Sequence, residues 1–254
     1  MNNSNIENYD TEKLVNRYLT HGKSFFEKGQ IASAFNCFNK ALLLDPNNSE
    51  TYLVLGESYM GMFDFDNAIK YLKKYLTFHP KNIRAHIDLT EVYSLYGDYK
   101  KALTHCNFAI TLQKSNFALY YKKAHILYKL ENLEDAIESY KKCIYLKDDH
   151  YDAYIEMCEI LILLKRFKDA IINYNFAIKI NNKRHEAYYG ISLAYINLGI
   201  YTEAYRYSKK VYKIDPFNKK NKCNYLLLKN MIKSKYKNNK LINLKETTIN
   251  TVDK

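Results

Sequence analysis

A chain of 254 residues with 47% hydrophobic and 26% charged side chains has the make-up of an ordinary folded protein and excludes a fibrous or wholly disordered one. Its longest aliphatic run, residues 160–164, is far too short to cross a bilayer. The formal net charge of +12 would favour an anionic partner if it were spread over one face, but it is concentrated at the C-terminal end.

Residues 1–14 form a polar, partly acidic lead without the apolar stretch of a secretory signal, which points to a cytoplasmic setting. From Val15 onward the chain is periodic. Alanine returns every 34 residues at Ala34, Ala68, Ala102, Ala136, Ala170 and Ala204, and spacing of this kind marks a repeat array. With alanine set at position 20, the units are 15–48, 49–82, 83–116, 117–150, 151–184 and 185–218. Position 8 is then small (Gly22, Gly56, Thr90, Ala124, Cys158, Ser192), and position 4 is aromatic or histidine (Tyr18, Tyr52, His86, Tyr120, Tyr154, Tyr188). A small residue at position 8 opposite the alanine lets two antiparallel helices approach closely, and large residues at positions 11 and 17 fill the space around them. Gly29, Gly97 and Gly199 at position 15 predict a left-handed stop after the first helix, and Pro46, Pro80 and Pro216 close the second.

These stretches, such as TYLVLGESYMGMFDFDNAIKYLKKYLTFHP and AYYGISLAYINLGIYTEAYRYSKKVYKIDP, resemble the tetratricopeptide repeat. The resemblance implies an all-α fold: a right-handed superhelical solenoid of antiparallel helix pairs, each repeat burying its core against its neighbours. It also implies a concave groove lined by positions 2, 5, 9, 12 and 13 of the first helices. Position 5 then supplies Leu19, Leu53, Ile87, Tyr121, Ile155 and Tyr189. Position 12 supplies Phe26, Met60, Tyr128, Ile162 and Ile196, interrupted by Ser94. Positions 2, 9 and 13 supply Glu27, Glu50, Glu57, Glu91, Asp152, Glu159 and Glu186 against Lys23, Arg84 and Lys129, with His125 among them. An apolar row edged with carboxylates suits a protein segment with apolar anchors and flanking Lys or Arg. The partner expected is therefore one or more proteins or peptides, and the chain reads as a non-enzymatic scaffold or adaptor.

The carboxylate clamp by which some members of the family grip acidic chaperone tails is absent. Repeats 1–3 carry Leu19, Lys23, Val54, Arg84 and Asp88 at the clamp positions, and repeats 4–6 carry Tyr121, His125, Glu156, Glu186 and Gly190.

Residues 219–238 read as a basic capping helix over the last repeat, with Cys223, Leu226, Leu227 and Met231 as its apolar face, and 239–254 as a disordered tail. The segment from Lys219 holds ten lysines against Glu246 and Asp253. A nucleic-acid or anionic-surface role through these lysines is the alternative reading. It is disfavoured because no arginine or aromatic interleaving supports base recognition. Chemistry is scarce elsewhere. Asp148, Asp149, His150 and Asp152 sit where a helix starts, so capping explains them better than a divalent metal. Five scattered cysteines without a CxxC pair read as reduced thiols. There is no phosphate loop or nucleophile motif, and no catalytic residue, cofactor, metal or small-molecule substrate is expected.

Overall fold

The computed structural model describes residues 3–249, with side chains over 10–234. The backbone falls into two compact units, Met1–Asn132 and Leu133–Lys254. The first holds α1 (Asn3–Glu27), α2 (Ile31–Leu44), α3 (Ser49–Gly61), α4 (Phe65–Phe78), α5 (Ile83–Tyr96), α6 (Tyr99–Leu112) and α7 (Phe117–Lys129). The second holds α8 (Leu133–Leu146), α9 (Tyr151–Leu163), α10 (Phe167–Ile180), α11 (Glu186–Asn197), α12 (Tyr201–Ile214) and α13 (Lys219–Ile249). No strand occurs among the described residues, and none of their helices is long and apolar enough to cross a membrane.

The alanine lattice is the structural spine. All six alanines are fully buried, and position 8 meets the second helix of its own repeat beside them. In the second unit the Ser192 hydroxyl donates to the Ala204 carbonyl at 2.8 Å and the Cys158 thiol to that of Ala170 at 3.5 Å. In the first unit Gly22 and Gly56 instead leave room for Phe38 and Leu72, both fully buried. Two further rows complete the core: Thr51, Ala85, Leu119, Ala153 and Ala187 at position 3, and Ala41, Tyr75, Ala109, Cys143, Ala177 and Val211 at position 27, all buried. Burial pushes the Cys106 and Cys143 thiols up to about 11, so neither is a reactive thiolate near neutrality. Of the other cysteines, Cys37 is half-buried and Cys223 exposed.

Polar groups define the helix ends. Asn48, Asn82 and Asn116, all at position 34, accept from the backbone N–H of Thr51, Ala85 and Ala118, and His150 Nδ1 accepts from Ala153 in the same role. Position 4 ties the second, third and fourth repeats to the one before. The Tyr52 and Tyr120 hydroxyls donate to the Pro46 and Lys114 carbonyls at 2.7 and 3.1 Å. His86 Nε2 reaches the Pro80 carbonyl at 3.0 Å, which explains how histidine replaces tyrosine in this row. His21, by contrast, is exposed and has no packing role of the kind its repeat position implies.

Position 15 adopts a left-handed conformation in every repeat. Gly29, Gly97 and Gly199 do so at φ of 74°, 90° and 73°, and Phe63, Glu131 and Lys165 at 59°, 61° and 58°. The last three carry a Cβ penalty because the turn geometry is common to all repeats. Glu131→Gly and Lys165→Gly are each expected to stabilise by roughly 0.5–1 kcal/mol, the relief of strain exceeding glycine's extra unfolded-state entropy. Chemical denaturation of the two variants beside the parent checks this, and a loss of stability in both would contradict it.

α13 follows the repeat lattice as the first helix of a seventh unit. Its buried face is Asn221 and Leu228, 4% and 2% exposed, with Tyr225 stacked on Tyr205 and Tyr212. This corrects the face assigned to the capping helix. Cys223, Leu226, Leu227 and Met231 are exposed, because α13 docks by its lattice positions rather than by its most apolar stripe. No glycine or proline follows Pro216, and the helix continues through 239–249, where a loose tail was expected; residues 250–254 of that segment lie outside the described residues.

Candidate protein-binding groove

In the first unit the first helices of successive repeats carry a ladder of ion pairs. Lys23 meets Glu50 at 3.2 Å, Arg84 meets Glu57 at 2.6 Å, and Lys122 meets Glu91 at 3.1 Å. In the second unit Arg184 bridges Asp152 and Glu186, at 2.8 Å to each, and lies 4.2 Å from the centre of the Tyr151 ring. Arg184 takes the position where the five other repeats have an asparagine or histidine cap, so a capping site has been given over to the carboxylates. Five of the seven groove acids are therefore already matched. Lys122 and Arg184 escaped the groove register, which covered neither position 6 nor position 34. These pairs are exposed or half-buried, those in the open are worth at most about 1 kcal/mol each, and an incoming ligand can exchange with them.

Two carboxylates stand out from the ladder. Asp88 on α5 is half-buried, and its Oδ2 is buried without a hydrogen-bond partner. Burial, reinforced by the neighbouring Glu57, pushes its carboxyl up to about 6. In the second unit Glu159 is raised by burial and by repulsion from Glu156, whose own carboxylate accepts from the Tyr140 hydroxyl at 2.7 Å. Asp88 lies at position 6, outside the positions read as groove, and its place between Glu57 and Glu91 is the sequence signal for it.

Asp88 carries a pH-dependent prediction. Its folded pKa lies above the unfolded value of 3.8, so the fold holds its proton more tightly, and the parent loses stability as pH rises from about 4 through 6. Asp88→Asn should therefore be more stable than the parent by about 1 kcal/mol at pH 7 to 8, a figure discounted for partial exposure, and equal to it near pH 4. Thermal melts of both proteins across that range read the difference directly. A stability gap independent of pH would show that Asp88 is not the titrating group.

The apolar row is less open than its sequence implied. Leu19, Leu53 and Ile155 are 4%, 7% and 8% exposed, because position 5 also packs against the neighbouring repeats. Phe26, Met60, Ile87, Tyr121, Ile162, Tyr189 and Ile196 are half-buried, and Tyr128 is exposed. In the first unit the row widens into a cleft of about 430 Å³ between α5 and α7. Leu95, Tyr99, Tyr121 and Ile126 form its apolar walls, and Glu91, Lys122, His125 and Lys129 its polar edge. The Tyr121 and His125 rings meet edge to face at 4.6 Å. Small residues at Thr90, Ser94 and Ala118 open the floor; Ser94, which interrupts the position-12 row, is thus what makes room.

Family models for the tetratricopeptide repeat match residues 22–62 and, for a second model, 49–82, 117–150 and 185–218, together half of the chain. The chain belongs to the tetratricopeptide repeat family. The 34-residue register read from the alanines coincides with the second model's boundaries in all three of its matches. No curated protein matches the chain by sequence. Among solved structures, it is similar to the MamA protein at 26% identity and a TM-score of 0.63, over 66% of this chain and 92% of that one. It is similar also to YrrB, described as a tetratricopeptide repeat protein with an unusual peptide-binding site, at 18% identity and 0.62, covering 76% and 97%. A tetratricopeptide repeat protein from Parabacteroides merdae aligns at 19% identity and 0.66, covering 88% of each chain. The last two likenesses bear on the fold alone.

Proposed function

We propose that this protein is a non-enzymatic scaffold that holds a protein segment in the groove of its first unit. The cleft between α5 and α7 carries the reading: it is large enough for one or two apolar side chains, lined by two tyrosines and two aliphatic residues, and edged by charge. Glu91 and Lys122, which line it, also act on Asp88, so an anchor in the cleft lies within electrostatic range of a carboxylate whose buried Oδ2 has no hydrogen-bond partner. A Lys or Arg beside the anchor would supply that partner. The peptide-binding description of YrrB agrees in kind with such a role and says nothing about the ligand of this chain. The buried thiols of Cys106, Cys143 and Cys158 suit a reducing, cytoplasmic setting.

The test is a peptide library screened on the full chain and on Tyr121→Ala. Peptides combining an apolar anchor with Lys or Arg should be retained. The variant should bind them about thirtyfold more weakly, a loss of about 2 kcal/mol expressed mainly in faster dissociation. Enrichment of acidic peptides, or equal binding by both proteins, would remove the groove from consideration.

A further inference from the structure

α13 leaves an apolar strip without a partner. Leu226, Leu227 and Met231 are 41%, 63% and 42% exposed. Gly22, Gly56, Cys158 and Ser192 at position 8 pack against the second helix of their own repeat, and Leu226 holds that position on α13, where no described residue covers it. Lys219, Lys220, Lys222, Lys229 and Lys233 surround the strip, and no acidic residue occurs between 219 and 234. This is the chemistry argued above for the ligand, apolar anchors set among lysines, and the same chain carries it.

We infer that α13 of one copy docks into the groove of the first unit of a second copy, with Leu227 and Met231 entering the α5–α7 cleft and a neighbouring lysine pairing with Asp88. The inference rests on the groove reading and names its partner. Charge decides among the ways two copies could meet. Pairing α13 with another α13 would set five lysines against five with no acid between them, which is repulsive. The groove instead offers Glu50, Glu57, Asp88 and Glu91; the first, second and fourth pair with Lys23, Arg84 and Lys122, and Lys129 edges the cleft, so the lysines of α13 would exchange with the groove's own cations rather than meet an unneutralised acidic face. A tail-to-groove contact is heterologous: the dimer keeps one free groove on one copy and one free α13 on the other, so association continues past the dimer unless a ring closes. The raised carboxyl of Asp88 adds a pH dependence: association should weaken as the pH falls below 6, where Asp88 takes up a proton. Glu57 and Glu91 beside it, Arg84 and Lys122 opposite them, His125 and Lys129 at the edge of the cleft, and the incoming lysines are the other charged or titratable groups facing the contact.

Sedimentation velocity of the full chain over a concentration series tests this with two variants. Leu227→Glu with Met231→Glu alters only exposed side chains of α13. Asp88→Asn with Tyr121→Ala alters only the groove. The parent should form species beyond the dimer that dissociate with added salt, and each variant alone should associate at least about tenfold more weakly. An equimolar mixture of the two variants restores one intact groove and one intact α13 per pair, and should give dimers and nothing larger. The inference fails if the α13 variant assembles as the parent does, or if the parent stays monomeric. In the latter case the peptide library decides the groove reading on its own. If only the α13 variant loses assembly while the groove variant keeps it, α13 docks elsewhere and this partner is wrong, whatever peptides the groove binds. A monomeric parent retained on phosphatidylserine vesicles, with retention lost in the α13 variant, would assign the strip to anionic lipid and overturn the self-docking contact.

Discussion

Gly190→Ala is expected to destabilise the second unit by roughly 2–3 kcal/mol, although helix propensity alone predicts a gain of about 1 kcal/mol. Gly190 lies in α11, where a Cβ would run into the ring of Tyr174 on α10. Tyr174 is 3% exposed, and burial holds its hydroxyl pKa well above the usual phenol range, so the ring has no open space to swing into. A methyl group there must displace the ring or separate two helices, and either costs packing. Gly61→Ala is the control. Gly61 is exposed, and its added Cβ would sit at an ordinary 3.6 Å from Phe26, so that change should be neutral or slightly stabilising. Amide exchange in α10 and α11 should rise only for the first variant. Stabilisation by Gly190→Ala would mean that α10 and α11 can separate at little cost, and the close contact would lose its meaning.

Gly190 also shows which parts of the fold were legible. The repeat was readable because it rests on residues that no other role demands: a buried alanine in each unit and a turn whose φ excludes most side chains. The same geometry holds where the residue is wrong for it, as at Phe63, Glu131 and Lys165, since the turn is fixed by the two helices and not by its own residue. Gly190 was visible only as a departure from the chaperone clamp. Its reason lies in the preceding repeat, in a tyrosine that the 34-residue register does not pair with it. The groove was half legible for a related cause. Periodicity identifies which side chains share a face, but not how far each is covered by its neighbours, so Leu19, Leu53 and Ile155 entered the open row and proved buried. Charge behaved likewise: counting acids on groove positions missed Lys122 and Arg184, which reach the same carboxylates from outside those positions. On α13 apolar content points to the exposed face, while the buried Asn221 and Leu228 follow the lattice.

Leu72→Ala should cost about 2–5 kcal/mol, as a fully buried leucine in the core of the first unit leaves a cavity that the repeat can only partly close. Its partner is Gly56, whose added Cβ would stand 2.7 and 2.9 Å from the Leu72 Cγ and Cδ2. Gly56→Ala should therefore also destabilise, by roughly 1–3 kcal/mol. The two positions are one choice of sizes divided between α3 and α4: glycine opposite leucine here, glycine opposite phenylalanine at Gly22 and Phe38. If size complementarity is the cause, the double variant puts the methyl group added at position 56 into the space vacated by Leu72. It should then lose about 1–2 kcal/mol less than the sum of the single losses. Recovery should stop there, because the same Cβ lies 3.2 Å from the Leu72 backbone nitrogen, a contact that truncating the side chain does not relieve. Losses adding to within about 0.5 kcal/mol would show that the two residues act independently. The close approach of α3 and α4 would then need another explanation. Since a repeat array can unfold in parts, the cycle is best measured by amide exchange within α3 and α4 rather than from a single global transition.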